Sequence, residues 1–304
     1  MKKYEVLTPK LAVFLANPQT WVASVYPAAF GELYCLWAGY QLVPAQAVVL
    51  TLICILMQSA VNTLNDTFDA LRGNDSTEDC LEENDAVMLY HTLNPRHTLL
   101  LGFGYLGAAG LLGLWIIWQT GITPLLVGAA GGAVVVLYSA GPVPLSHCPV
   151  GEVVSGFVMG GLIPLGVAAA VTGELYWPVL SAAAPLILGI GLIMMTNNCS
   201  DIEKDKKAGR KTLPVLLGRE RARFVFRVLL CIWGAMICVL PCVMFGLRGA
   251  AAPVAFILLA CKPFAALMRA ELDQNGRIWQ MKTINKANLA GNGAYLIALL
   301  AALL

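Results

Sequence analysis

Apolar runs of about 18–22 residues, the length a helix needs to cross about 30 Å of hydrocarbon, recur from Thr20 to the end of the chain. Composition agrees: 58% of residues are hydrophobic and 12% charged, where a soluble domain carries about 25% charge. The expected fold is an all-α integral membrane domain spanning residues 1–304. Nine spans are read: Thr20–Gly39, Pro44–Leu64, Thr98–Trp118, Ile122–Tyr138, Gly151–Val171, Trp177–Asn197, Ala222–Gly246, Gly249–Met268 and Ala287–Leu304. The patch Leu11–Ala16 soon meets Asn17-Pro18 and is followed by no small-residue cleavage site, so no removable signal peptide is read.

Charge placement sets the expected topology. The loops near Tyr40–Val43, Gln119–Gly121, Thr172–Tyr176 and Phe245–Arg248 are short, and Arg248 is their one basic residue. Asn65–His97, Ser139–Val150, Cys199–Arg221 and Arg269–Lys286 are long and, with the N-terminus, hold nearly all the Lys and Arg. By the positive-inside rule these long loops are cytoplasmic, the N-terminus is inside and the C-terminus outside. Trp21, Trp118, Tyr176 and Trp177 fall near span ends, as an aromatic belt does. The nine Cys form no CxxC pair and read as small buried hydrophobes; the three His have no zinc-like spacing. No GxGxxG precedes a strand, so neither a nucleotide site nor a nucleic-acid partner is implied. Gly102-x-Gly104, Gly131-Gly132 and Gly160-Gly161 read as sites of close helix packing.

Two polar clusters interrupt this apolar background. The first is Asn62-Thr-Leu-Asn65-Asp66-Thr-Phe-Asp69, at the cytoplasmic end of the second span and followed by an acidic loop. Helical spacing sets Asn62 over Asp66, Asn65 over Asp69, and Asp66 beside Asp69. The second, Asn197-Asn198-Cys-Ser-Asp201-Ile-Glu-Lys-Asp205, puts Asn197, Asp201 and Asp205 on one face with Asn198 beside Asp201. Each follows the second helix of a four-helix group, which suggests two half-repeats and one further helix. Paired carboxylates at a hydrocarbon boundary cost at least ~2.5 kcal/mol each on insertion scales, so something must offset them. Oxygen donors from carboxylates and amides suit a hard cation such as Mg²⁺, completed by substrate phosphates and water. Such residues are also ordinary at polar helix ends; two clusters in corresponding places favour the site.

Asn65-Asp66-x-x-Asp69-x5-Asp75 and Asp201-x3-Asp205 resemble the two signature motifs of the UbiA-superfamily aromatic prenyltransferases. The likeness is nearest to the MenA branch, the 1,4-dihydroxy-2-naphthoate prenyltransferases of menaquinone synthesis. Its carriers are the Asp69-to-Asp75 gap through Gly73, Asn197-Asn198 before Asp201, and the run Ala208-Gly209-Arg210-Lys211-Thr212-Leu213. Tyr138-Ser-Ala-Gly-Pro142-Val-Pro144-Leu145 followed by Gly151-Glu152 adds to them. The resemblance implies a nine-helix fold whose central cavity binds a polyprenyl diphosphate through Mg²⁺ at its cytoplasmic end, beside an aromatic acceptor. Asp66, Asp69, Asp201 and Asp205 match metal-binding positions, Asp75 the third Asp of the first motif, and Asn62 and Asn65 amides that support the diphosphate.

Arg72, Lys204, Lys206, Arg210 and Lys211 are candidate diphosphate ligands, and Tyr138 a candidate wall of the acceptor pocket. Two departures bear on the acceptor. Ser200 stands where the branch carries Arg, with Lys204 or Arg210 as possible substitutes, and Ala86–Arg96 lacks the usual Gly/Pro/Arg pattern. Rival functions are a UbiA-type enzyme acting on 4-hydroxybenzoate, a tetrapyrrole or a glycerol phosphate, and a transporter. The CDP-alcohol phosphatidyltransferase signature is absent.

Overall fold

A computed structural model describes residues 4–74, 76 and 81–304. Asp75 lies outside the described residues. Among these residues the chain is helical, with one isolated bridge between Glu5 and Leu93 and no named strand. A short helix α1 (Pro9–Ala16) precedes α2 (Val22–Trp37) and α3 (Pro44–Arg72); α4 (Val87–Tyr90) then leads to α5 (Pro95–Thr120) and α6 (Thr123–Ser139). The second half holds α7 (Gly151–Phe157), α8 (Ile163–Thr172), α9 (Pro178–Ala182), α10 (Ala184–Ser200), α11 (Ile202–Lys207), α12 (Leu213–Leu217), α13 (Arg219–Phe245), α14 (Ala251–Leu259), α15 (Cys261–Met268) and α16 (Arg277–Leu303).

Helix lies beneath each span read from sequence. Among the described residues, four segments are able by length and composition to cross a membrane: Pro44–Arg72, Pro95–Thr120, Gly151–Thr172 and Arg219–Leu259. Thr123–Ser139 and Ala184–Ser200 are apolar but shorter. The expected count of nine crossings is therefore not established by the helices alone. The run Arg219–Leu259 is itself folded back. Gly246 turns the chain at φ +59°, and a Cβ on Gly249 would lie 2.0 Å from the Pro241 carbonyl oxygen, which leaves α13 and α14 packed side by side.

Helix length positions the first motif. α3 starts on Pro44, whose missing N–H suits a first turn, and stops at Gly73, which takes φ +66° while the Asn74 N–H closes on the Asp69 carbonyl at 3.0 Å. Its 29 residues rise about 43 Å, some 13 Å more than the hydrocarbon needs. That surplus is the stretch from Leu64 onward, so the motif carboxylates stand at the end of the helix.

A π-turn at Val158–Leu162 joins α7 to α8. Pro164 has no N–H for the preceding turn and its ring crowds the carbonyl four residues back; the wider turn absorbs both. Gly156 and Gly160 let this helix meet α10 backbone to backbone, since a Cβ on Gly160 would lie 2.4 Å from the Ile187 nitrogen. Of the other glycines expected to pack closely, Gly102 does so against Leu64, Gly131 and Gly132 line a cavity, and Gly104 faces open space.

α1 is capped by Thr8, whose Oγ1 accepts from the Leu11 N–H at 3.3 Å. Its Leu11 and Leu15 pack with Val87 of α4 and with Leu93. This small core fastens residues 81–94 over the end of α3.

Candidate active site

A cavity of about 570 Å³ follows α3 from Asp66 down to Leu50. The sixteen steps between Leu50 and Asp66 rise about 24 Å. Its deep wall is apolar, formed by Leu50, Ile53, Cys54, Ile116, Ile163 and Val167, and its polar lining includes Asn62, Asn65, Asp66 and Asp85.

The first-motif side chains are already engaged. Both Asp66 oxygens lie within reach of the Met88 N–H, at 3.2 and 3.4 Å. Asp69 Oδ2 accepts from Asn65 at 3.1 Å, and its Oδ1 accepts from Asn74 at 2.8 Å and from Arg210 at 2.5 Å. Asn65 Oδ1 in turn accepts from Ser139 at 2.9 Å. Asn62, on the cavity lining, is engaged by its neighbours. It donates to the Ala16 carbonyl at 2.9 Å and to Thr20 at 2.8 Å, and accepts from Gln58 at 3.2 Å, stapling the end of α1 to α3.

The second motif spans a helix break. Asp201, at φ −98° and ψ 16°, ends α10 and begins α11. The bonds from Asp201 N–H to Asn197 O (3.0 Å) and from Asp205 N–H to Asp201 O (2.8 Å) carry the helical face across it. Asp201 and Asp205 are 5% and 2% exposed, and neither lines the cavity. Asp205 accepts from Thr212 at 3.0 Å.

Arg210 joins the motifs. Its guanidinium lies 2.5 Å from Asp69 and 3.7 Å from Asp205, so one cation stands between carboxylates of the two clusters. Burial pushes the Asp205 carboxyl up to about 6, against the opposing pull of Arg210, with the Asp201 charge adding to the rise. Burial and then Arg210 push His147 below the usual imidazole range. Lys204 is buried, and its charge acts on both Asp201 and Asp205.

The remaining candidates are divided between the site and its surroundings. Arg72 donates to the Gly141 carbonyl at 3.2 Å and covers the Phe68 ring, steadying the loop after α6. Lys206 and Lys211 are exposed; the Lys211 N–H is tied to the His147 carbonyl at 2.9 Å. Asn198 donates to Glu152 at 2.8 Å, linking α10 to α7. Tyr138 lines the cavity, its hydroxyl 3.3 Å from the Met194 sulfur. Asn197 accepts from Arg277 at 2.7 Å, and Asp201 accepts from the same guanidinium at 3.0 Å. Arg277 escapes a motif reading because it falls in Arg269–Lys286, read from sequence as a polar loop whose positive charge the topology already explains. A signal was nonetheless present: a cation opening a helix opposes the helix dipole and needs a local anion.

The donor set suits a hard divalent cation. Among the described residues, no three His, Cys, Asp or Glu side chains converge tightly enough to hold a metal unaided. The oxygens offered are carboxylate and amide, and guanidinium charges already occupy positions beside Asp69, Asp201 and Asp205. This is the arrangement in which phosphate oxygens and water complete a Mg²⁺ shell.

Known proteins resemble this chain in sequence and in fold. Over 209 residues the chain is 32% identical to the 1,4-dihydroxy-2-naphthoate octaprenyltransferase of Bacillus subtilis, covering 68% of this chain and 66% of that protein. Against the enzyme of the same name from Mycobacterium tuberculosis it is 27% identical over 225 residues, covering 74% and 76%. Its fold matches that of a UbiA homolog from Archaeoglobus fulgidus bound to DMAPP and Mg²⁺, with a TM-score of 0.62 at 16% identity, over 94% of this chain and 98% of that one. The UbiA prenyltransferase family matches residues 24–289, most of the chain and both motifs, and the chain belongs to that family.

Proposed function

We propose that this chain transfers a polyprenyl group from a polyprenyl diphosphate to 1,4-dihydroxy-2-naphthoate, with loss of CO₂, in menaquinone synthesis. The observation that carries the proposal is the meeting of Asp69 and Asp205 on one guanidinium beside a long apolar cavity. The names of the Bacillus and Mycobacterium relatives support the acceptor.

In this reading Asp66, Asp69, Asp201 and Asp205 hold Mg²⁺, with Asp75 as a further ligand. The bound cation supplies charge to the leaving diphosphate, which is worth several kcal/mol in a site closed to water. Arg210 and Lys204 place fixed positive charge beside the same carboxylates and take part in neutralising the diphosphate. Asn65 keeps the Asp69 carboxylate oriented through its 3.1 Å bond. The apolar wall from Met57 to Leu50 takes the prenyl chain and excludes water from the allylic cation. Tyr138, on the cavity wall, bounds the space for the aromatic ring, whose electron-rich carbon attacks that cation.

The same reading takes the chain as one transmembrane domain of nine crossings, two four-helix half-repeats and one further helix. It lies in the cell membrane with its N-terminus and both motifs on the cytoplasmic side.

The test is an acceptor panel. Purified protein, Mg²⁺ and labelled prenyl diphosphate are incubated with dihydroxynaphthoate or 4-hydroxybenzoate, and products are read by mass spectrometry. A prenylated, decarboxylated naphthoate product is expected. Product from 4-hydroxybenzoate alone refutes the acceptor, and no product from any acceptor refutes the reaction.

A further inference from the structure

Arg277 opens α16 with 7% of its surface exposed, in a helix whose first turn holds no acidic residue. Nε donates to Asp201 Oδ1 at 3.0 Å, and Nη2 donates to Asn197 Oδ1 at 2.7 Å. Nη1 lies 4.0 Å from Asp85 Oδ2 and is buried without a hydrogen-bond partner. A buried cation at a positive helix end is opposed by desolvation and by the dipole, so its place is set by the second motif.

The backbone beneath this side chain is pinned. Gln280, three residues on, accepts from Ser200 at 2.8 Å and donates to Asp273 at 3.2 Å. The Gly276 N–H donates to the same Asp273 oxygen at 2.9 Å. A Cβ on Gly276 would lie 2.2 Å from Gln280 Nε2, so a side chain there would displace the Gln280 amide from Asp273. Ser200 and Gln280 are 0% and 2% exposed. A chain of bonds from α10 through the buried Ser200 and Gln280 to the half-buried Asp273 therefore holds the start of α16 beside Asp201.

We propose that Arg277 is a positioning residue for the second motif: its planar fork fixes the Asp201 carboxylate and the Asn197 amide relative to each other, leaving Asp201 Oδ2 to the metal. The inference rests on the reading that Asp201 holds Mg²⁺. A lysine keeps the charge but lacks a planar fork that reaches two acceptors at once. Groups that orient a metal-binding side chain contribute about 10–100-fold to metal affinity or activity.

The experiment measures metal binding without turnover. Mg²⁺ is titrated calorimetrically into the detergent-purified full chain with inorganic pyrophosphate and no acceptor, for wild type, R277Q and R277K. Thermal unfolding in EDTA reports whether each variant is folded. R277Q is expected to bind Mg²⁺ about 10–100-fold more weakly than wild type, and R277K to stay at least about tenfold weaker. Wild-type affinity in R277K overturns the fork, and unchanged affinity in R277Q overturns the role altogether. If R277Q does not fold, R277K decides. Wild type that binds no Mg²⁺ with pyrophosphate instead removes the metal reading on which the inference stands.

Discussion

Replacing Arg210 with Gln probes the contact that unites the two motifs. The guanidinium is 13% exposed and lies 2.5 Å from Asp69 and 3.7 Å from Asp205. Gln keeps much of the volume and one donor but removes the charge, so two buried carboxylates lose the cation between them. Breaking a buried pair costs about 3–5 kcal/mol. Asn74 still donates to Asp69 Oδ1, and Asn65 and Thr212 to the Oδ2 atoms of Asp69 and Asp205, which points to the lower end, about 3 kcal/mol. For a large domain this corresponds to a fall of about 6–12 °C in Tm. The same substitution leaves the carboxylates freer for a divalent ion, and binding to the folded state alone stabilises it. Thermal unfolding of purified R210Q should therefore fall in EDTA and recover in millimolar Mg²⁺ by more than wild type does. An R210Q protein as stable as wild type in EDTA, or indifferent to Mg²⁺, would refute the claim that Arg210 holds charges a metal also uses.

Three further outcomes are expected. Asp66→Asn and Asp201→Asn should each abolish turnover at saturating Mg²⁺ while the protein stays folded and inserted; near-normal turnover in either removes the two-motif site. Asn74→Cys in a background without other cysteines should react with an impermeant maleimide only when the inner face is exposed. Labelling in intact cells reverses the orientation. With the Asp205 carboxyl raised to about 6, Mg²⁺ binding should weaken as pH falls through 6, by about tenfold between pH 7 and 5. Because the neutral acid is the form favoured in the fold, metal-free stability should decline in the other direction, as pH rises from about 4 to 6. A metal affinity flat over pH 5–7 contradicts the placement of Asp205 in the shell.

The motif carboxylates were legible because charge at a hydrocarbon boundary is rare and the helical period puts it on one face. Asp66 and Asp69 end α3, and Asp201 and Asp205 keep a common face even though the helix breaks between them. Amides were harder to read, since the same Asn can ligate a substrate or staple two helices. Asn62 and Asn198 make bonds between helices, toward α1 and Glu152, and no spacing rule separates the two uses. The same holds for arginine. Arg72 and Arg210 are both basic residues beside a motif, and only the return of the chain after α11 brings Arg210 to Asp69. Residues Ala86–Arg96 lack a recognisable side-chain pattern, yet Met88 reaches Asp66 through its backbone N–H. A contact made by the main chain leaves little trace in residue identity.

Ser200 shows how a departure from a motif is resolved in space. Lys204 and Arg210 are its near substitutes in sequence, but Arg210 is bonded to Asp69, and the guanidinium that hydrogen-bonds Asp201 comes from α16. Ser200 is fully buried, its hydroxyl within reach of both Gln280 at 2.8 Å and the Thr196 carbonyl at 2.9 Å. An arginine there would have to expel Gln280, and would put a second guanidinium against the charge of Arg277. Overpacking a filled site costs about 1–3 kcal/mol, and stranding a buried polar group adds about 1–3 kcal/mol. Ser200→Arg is thus expected to lower Tm and total turnover without raising preference for dihydroxynaphthoate over 4-hydroxybenzoate. Unfolding in EDTA and a competition assay with both acceptors measure the two effects. A stable S200R protein with a shifted acceptor ratio would show that position 200 faces the acceptor after all, and that the packing around Gln280 does not govern it.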